Sequence, residues 1–192
     1  SKRIAALEGG VAAVAVASGA AAVTYTLEAL VHQGQHIVAA TTIYGGTYNL
    51  FEHTFPNYGI ETTFVDPTKG VEVFEEAIKE NTRVVYIESI GNPNANLIDI
   101  QAVADIAHKH KIPLVVDSTF ATPYQLRPFE YGADIVVHSG TKYLCGHNDI
   151  IAGIIAIADK DAAYGKKLEL LIKSEGPNLS PMDSWLLLRS IK

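Results

Sequence analysis

Several side chains able to do chemistry stand directly after runs of apolar, mostly β-branched residues. Asp117 closes the run Pro113–Asp117, and Ser139 closes Ile135–Ser139, with Thr141 and Lys142 following at once. Glu88 closes Val84–Glu88, and Asn92 lies just beyond it in Gly91-Asn92-Pro93. Ser18-Gly19 follows the run Val11–Ala17, ahead of a helix. Singly these are weak signals: lysines are usually solvated, an aspartate at a strand end is often a helix cap, and Ser-x-Thr-Lys recurs by chance. Jointly they are a strong one, because a parallel sheet gathers the carboxyl ends of its strands, and its ligands, on one edge.

The chemistry that unites these groups is that of pyridoxal phosphate. An amine condenses with its aldehyde, and a carboxylate keeps its pyridine nitrogen protonated. Hydroxyls and a helix N-terminus hold its phosphate. The pattern assigns Lys142 as the Schiff-base lysine and Asp117 as the partner of the ring nitrogen. Ser139 and Thr141 become phosphate ligands together with the amides of Gly19 and Ala20, next to Ser18. Pairing with a cation is expected to lower the Asp117 pKa and keep it ionised at neutral pH.

These residues need a sheet to bring them together, and the remaining pattern supplies one. Besides the runs above, His36–Ala40, Glu61–Val65 and Ile151–Ala158 read as strands. Between them, a helix spans Ala20 to Leu30. Another follows Asp99, where Ile100, Val103, Ala104 and Ala107 recur at helical spacing, and a shorter stripe joins Val71, Phe74 and Ile78. Alternating strands and helices with continuously apolar strands imply an α/β fold, a three-layer αβα arrangement with a mostly parallel sheet and helices on both faces.

Composition bounds the rest. The chain has 192 residues, 48% apolar, enough for one domain with a sizeable core. Fifteen basic against 21 acidic residues give a net charge of −6, which argues against nucleic acid or an anionic membrane as partner. The most apolar stretch, Val11 to Ala29, is interrupted by Ser18, Gly19, Thr24 and Glu28 and falls short of a span of about 20 residues. A single cysteine, Cys145, excludes an internal disulfide framework and a thiolate zinc cluster, and reads as a buried, unreactive thiol. The seven histidines show no His-Glu-x-x-His pair, and His108 and His110 are two apart on a helix, so no metal site is expected. Dinucleotide-loop, phosphate-loop and nucleophile-elbow motifs do not occur.

The sequence resembles the fold-type I pyridoxal-phosphate enzymes of cysteine and methionine metabolism, over essentially its whole length. The resemblance rests on Leu7-Glu8-Gly9-Gly10, Ala17-Ser18-Gly19-Ala20-Ala21-Ala22, Ile43-Tyr44-Gly45-Gly46-Thr47, Glu88-Ser89 to Asn94, Val116-Asp117-Ser118-Thr119 and His138-Ser139-Gly140-Thr141-Lys142. It implies that Tyr44 stacks on the cofactor ring and assists when Lys142 is displaced, that Asn92 lies near the phenolic oxygen of the cofactor, and that Thr119 packs against the ring. Glu88 is implied to support the site rather than act in it. Small departures are Ala17 where relatives often have Ser, Ser118 where Asn is common, and Gly140 where Ala is common. Ile43 to Phe51 and Gly91 to Asn96 look most like O-acetylhomoserine sulfhydrylases. Gly146-His147-Asn148-Asp149 and Pro181-Met182-Asp183-Ser184-Trp185 look more like cystathionine lyases and synthases.

The implied reaction is γ-replacement or γ-elimination on O-acetylhomoserine or a related sulfur amino acid, in a cytoplasmic homo-oligomer, a dimer or tetramer. Lys142 exchanges for the substrate amine and then serves as general base at Cα; a second deprotonation at Cβ expels the γ-substituent. The family also carries an N-terminal arm giving a Tyr and an Arg to a neighbour's phosphate site, and a C-terminal domain whose Arg binds the substrate carboxylate. Arg3, Arg83, Arg127 and Arg189 fall in neither motif. The alternative is therefore a catalytically silent or truncated cofactor-binding domain.

The ends suit that expectation. Ser1-Lys2-Arg3 lacks an initiator Met and enters Ile4–Leu7 as the last turns of a helix. Ser180-Pro181-Met182-Asp183 opens a helix expected to be still running at Lys192. Residues 1–192 thus read as the cofactor-binding large domain of a longer enzyme.

Overall fold

A computed structural model describes residues 1–159 and 163–191. Seven strands form one sheet: β1 (Ala12–Val16), β2 (His36–Ala40), β3 (Glu61–Val65), β4 (Thr82–Glu88), β5 (Leu114–Asp117), β6 (Ile135–Ser139) and β7 (Gly153–Ile157). Their order is β1-β7-β6-β5-β4-β2-β3. The ladders from β3 through β6 are parallel, whereas β7 runs antiparallel to both β6 and β1. The sheet is therefore mostly parallel, as the continuous apolar runs imply. All five residues of β2 and of β7 are buried, which requires cover on both faces.

Helices supply that cover: α1 (Lys2–Glu8), α2 (Gly19–Leu30), α3 (Gly45–Asn49), α4 (Glu72–Ala77), α5 (Ile100–Lys109), α6 (Thr122–Gln125), α7 (Ala163–Glu175) and α8 (Pro181–Ser190). Ile155 and Ile157 of β7 join the main core, which Leu27 of α2 and Leu168 of α7 also enter. Ile154 faces a second cluster with Ile4 of α1 and Leu187 of α8. Alternation along one strand thus feeds two helix layers. On α5, Ile100, Val103, Ala104 and Ala107 are all buried, as their spacing requires, and Asp99 caps the helix by accepting from the Ala102 N–H at 3.0 Å.

Two boundaries differ from expectation. The stripe Val71, Phe74, Ile78 contains a helix of six residues only, with Val71 as its cap and Ile78 already extended beyond it. Phe74 alone of the three is fully buried, so a single side chain anchors the turn. The last helix, capped by Ser180, ends at Ser190; Ile191 leaves the helical conformation and is buried in the second core. Lys192 lies outside the described residues. Among the described residues no helix is long and apolar enough to cross a membrane.

Candidate active site

Because the ladders run in register, Val16 and Ser139 both pair with Gly153, and Glu88 pairs with Asp117. The carboxyl ends of β1, β4, β5 and β6 and the start of β7 therefore share one edge. A cavity of about 510 Å³ opens there. Ser18, Gly19, Ala20, Tyr44, Asn92, Asp117, Thr119, Ser139, Thr141 and Lys142 all line it. These are the ten residues singled out from the sequence, drawn from five separate segments of chain.

Each is held by local structure. Ser18 adopts an extended conformation and caps α2, its Oγ accepting from the Ala21 N–H at 3.0 Å. Its hydroxyl is thus already engaged. The amides of Gly19 and Ala20, the first of the helix, have no intrahelical acceptor and point to the cavity edge with the positive helix end. Gly19 is needed for close approach: a Cβ there would lie 2.7 Å from the Ser139 Cβ and 2.9 Å from its Cα. The helix start therefore sits directly on the end of β6, beside the Ser139 hydroxyl, a cradle any other residue would fill.

Thr119 lines the cavity and also joins two strand ends. Its Oγ1 donates to Asp117 Oδ1 at 2.5 Å and accepts from the Ser139 N–H at 2.8 Å, tying the ends of β5 and β6 together. Its own N–H adds a second bond to Asp117 Oδ1 at 3.0 Å. Thr141 Oγ1 accepts from the Ala152 N–H at 3.0 Å and donates to the Ala152 carbonyl at 3.3 Å, which fixes the turn carrying Lys142 against the approach to β7. Lys142 is exposed at the cavity wall, and among the described residues its amine forms no ion pair. Asn92 is held by its N–H donating to the Thr42 carbonyl at 3.2 Å.

Without a cation beside it, Asp117 is governed by its burial. Burial raises its pKa above the ordinary carboxylate value, against the pull of the two Thr119 hydrogen bonds, the His138 imidazole and the Tyr86 hydroxyl. The expected lowering needs a cation on the carboxylate, and within the chain itself desolvation outweighs the hydrogen bonds. Glu88 is pushed up to about 8, first by burial and then by the charge of Asp117, with the Tyr44 N–H working in the opposite direction. The Tyr86 hydroxyl donates to Asp117 Oδ2 at 3.3 Å. Its pKa is well above the ordinary value, chiefly through burial and then the two carboxylates, so it stays protonated and keeps its proton for Asp117.

Tyr86 and Thr47 escaped sequence reasoning. Tyr86 could have been found by stepping back two residues from Glu88, which reaches the same face of β4. Thr47, buried at the cavity wall, hydrogen-bonds Tyr86 and stands in the quoted Ile43–Thr47 stretch. Cys145 is buried, its Sγ donating to Asp149 Oδ1 at 3.2 Å. His108 bonds Asp134 at 2.9 Å, while His110 faces Glu75 at 3.4 Å.

Comparison with known proteins gives a consistent picture. The family model described as Cys/Met metabolism PLP-dependent enzyme matches residues 1–192. The chain is 46% identical over 192 residues to an L-methionine gamma-lyase of Porphyromonas gingivalis, covering 100% of this chain and 48% of that protein. It is 45% identical to a cystathionine gamma-lyase of Bacillus subtilis, over 97% of this chain and 48% of the other. With an O-acetyl-L-homoserine sulfhydrylase of Leptospira meyeri the identity is 39%, over 100% and 51%. The crystal structure of metB from Corynebacterium glutamicum superposes with a TM-score of 0.93 at 38% identity, over 98% of this chain and 48% of that one. The chain spans about half the length of the curated relatives it matches.

Proposed function

The chain belongs to the Cys/Met metabolism PLP-dependent enzyme family, and from that premise we propose that residues 1–192 are the cofactor-binding large domain of a longer enzyme. That enzyme carries out γ-replacement or γ-elimination on O-acetylhomoserine or a related sulfur amino acid. A homo-oligomer, dimer or tetramer, and a cytoplasmic address belong to the same proposal. The observation that carries it is the convergence of the Lys142 amine, the Asp117 carboxylate, the Ser139 hydroxyl and the α2 amides on one cavity.

The donor set and the Gly19 cradle fit pyridoxal phosphate. Ser139 and the amides of Gly19 and Ala20 would hold the phosphate where the helix end favours negative charge, joined by Thr141 once its hydroxyl turns from the Ala152 carbonyl. Asp117 would accept from the ring nitrogen, Asn92 would serve the phenolic oxygen, and Tyr44 would stack on the ring. When bound, the cofactor supplies an aldehyde that captures amines and a protonated ring that withdraws electrons from the neighbouring carbon. Lys142 would be the amine that holds the cofactor's aldehyde and, when free, the base within reach of a substrate Cα proton. Tyr44 would assist when Lys142 is displaced. Asp117, gripped by Thr119 and Tyr86, keeps its carboxylate aimed at the ring nitrogen.

Pyridoxal phosphate added to the chain is expected to give an absorbance band near the visible, fixed by borohydride onto Lys142. An unchanged band in Lys142→Ala overturns the assignment. A second reading, cofactor capture without turnover by these residues, is favoured by the arginines. Arg3 and Arg83 bond backbone carbonyls, Arg127 faces Glu130 and Arg189 faces Asp149, and none lines the cavity. Turnover of O-acetylhomoserine by the 192 residues alone would exclude that second reading.

A further inference from the structure

We infer that Glu88 is a positioning residue that links the charge at Asp117 to the placement of Tyr44. The inference deepens the function proposed above and rests on it for the role of the cavity, but the geometry is independent of any ligand. Glu88 and Asp117 end adjacent parallel strands as direct partners, so their side chains leave the sheet on the same face and line the same cavity. Glu88 Oε1 accepts the Tyr44 N–H at 2.6 Å. Tyr44 is the N-cap of α3, makes no side-chain capping bond, and stands with its ring exposed over Gly46, where a Cβ would overlap it. α3 is the first turn of a helical run that continues unbroken through Leu50–Thr54 and Phe55–Tyr58, so its first amides have no acceptor within the helix. The Glu88 carboxyl, 44 residues away in the chain, therefore anchors the turn from which the Tyr44 ring projects.

The groups that face this carboxyl determine when it is charged. Asp117 faces it from β5 and Tyr86 from its own strand, while Lys142 lines the same cavity from the turn after β6. His138 acts on Asp117 from β6. Two neighbouring carboxylates in a desolvated site do not both ionise readily. Asp117 receives two bonds from Thr119 and one from Tyr86, whereas Glu88 receives one, so the charge rests on Asp117 and the proton on Glu88. A cation docked on Asp117 cancels that repulsion, and Glu88 releases its proton to solvent. The ionised carboxylate then makes the stronger, charge-assisted bond to the Tyr44 amide. Arrival of a positively charged ring thus tightens the residue that lies across it.

The test uses the ligand-free chain, carboxyl-labelled at glutamate and ¹⁵N-labelled at the amides, followed by NMR from pH 5 to 10. The Glu88 carboxyl is expected to titrate near 8, with the Tyr44 amide shift following the same midpoint. Asp117→Asn should move that midpoint down by about one pH unit or more. Glu88→Gln, which keeps the acceptor but not the charge, should leave the Tyr44 amide flat across the range. A Tyr44 amide indifferent to pH in the unsubstituted chain overturns the inference, as does a Glu88 midpoint unmoved by Asp117→Asn. Neither outcome touches cofactor capture, which the borohydride experiment reads separately.

Discussion

The two edges of the sheet bury polar groups in opposite ways. At the amino edge, His36 opens β2 with both ring nitrogens engaged, Nδ1 with Thr82 Oγ1 and Nε2 with Thr63 Oγ1, each at 2.8 Å. Nearby, Asp134 Oδ2 accepts from the Leu114 N–H at 2.8 Å and from His108 at 2.9 Å. Every one of these groups closes on protein. At the carboxyl edge, two carboxylates lie side by side and a lysine amine stands without an ion pair among the described residues. The amino edge closes its polar groups between strands; the carboxyl edge also bonds its carboxylates to protein but keeps them, with the Lys142 amine, along a cavity.

The difference has a pH signature. Burial, then the charge of Lys79, lowers the His36 pKa from 6.5 to about 4, with Glu61 opposing. The unfolded chain then binds more protons than the folded one between those values. The stability that His36 contributes is thus present above pH 6.5 and is lost as pH falls toward 4. Glu88 is raised from 4.5 to about 8, so the folded chain holds the extra proton and this contribution to stability falls as pH rises through 8. The two edges tilt the stability curve in opposite directions.

The largest expected effect lies at the amino edge. His36→Ala leaves a cavity and removes the partner of both threonines, a loss of about 2–4 kcal/mol. A lower urea midpoint at unchanged m-value would register it, and a change below about 1 kcal/mol would mean that the amino edge does not depend on this bridge. At the carboxyl edge the sign reverses: ligand-free Glu88→Gln is expected to gain about 1 kcal/mol or more over the parent at pH 9, and little at pH 5. Thermal melts of both proteins across that range check it; parallel pH profiles would erase the contrast between the edges. The smallest effect sets the baseline. Glu169 and Lys173 form an exposed pair on α7, and Glu169→Gln should leave the urea midpoint unchanged at any of these pH values.

Much of the architecture was legible because burial on both faces writes strands as continuous apolar runs. His36–Ala40, Glu61–Val65 and Ile135–Ser139 fall where the pattern puts them, and the other four strands differ by one or two residues at one or both ends. The direction of β7 was not legible, because an apolar run has the same composition whichever way it is laid into a sheet. The short helix around Phe74 was overextended, since spacing alone does not say where packing stops. At the site, residue types at strand ends pointed to Ser18, Gly19, Ala20, Asn92, Asp117, Ser139, Thr141 and Lys142, and the family resemblance added Tyr44 and Thr119; all of them line the cavity. The partnerships were hidden: Thr119 bridging Asp117 to Ser139, and Tyr44 held by Glu88, join segments that only the fold brings together.

From the sequence alone follow the fold class, the cofactor chemistry and the family, because each depends on residue types at fixed short spacings. The charge states and alignments of those residues follow only from tertiary structure. Desolvation and the distance between carboxylates depend on what the folded chain places around them. Asp117 shows this most clearly. Its type and position were legible, but its pKa lies above the ordinary value because burial, which no local spacing records, outweighs the hydrogen bonds that Thr119 and Tyr86 donate.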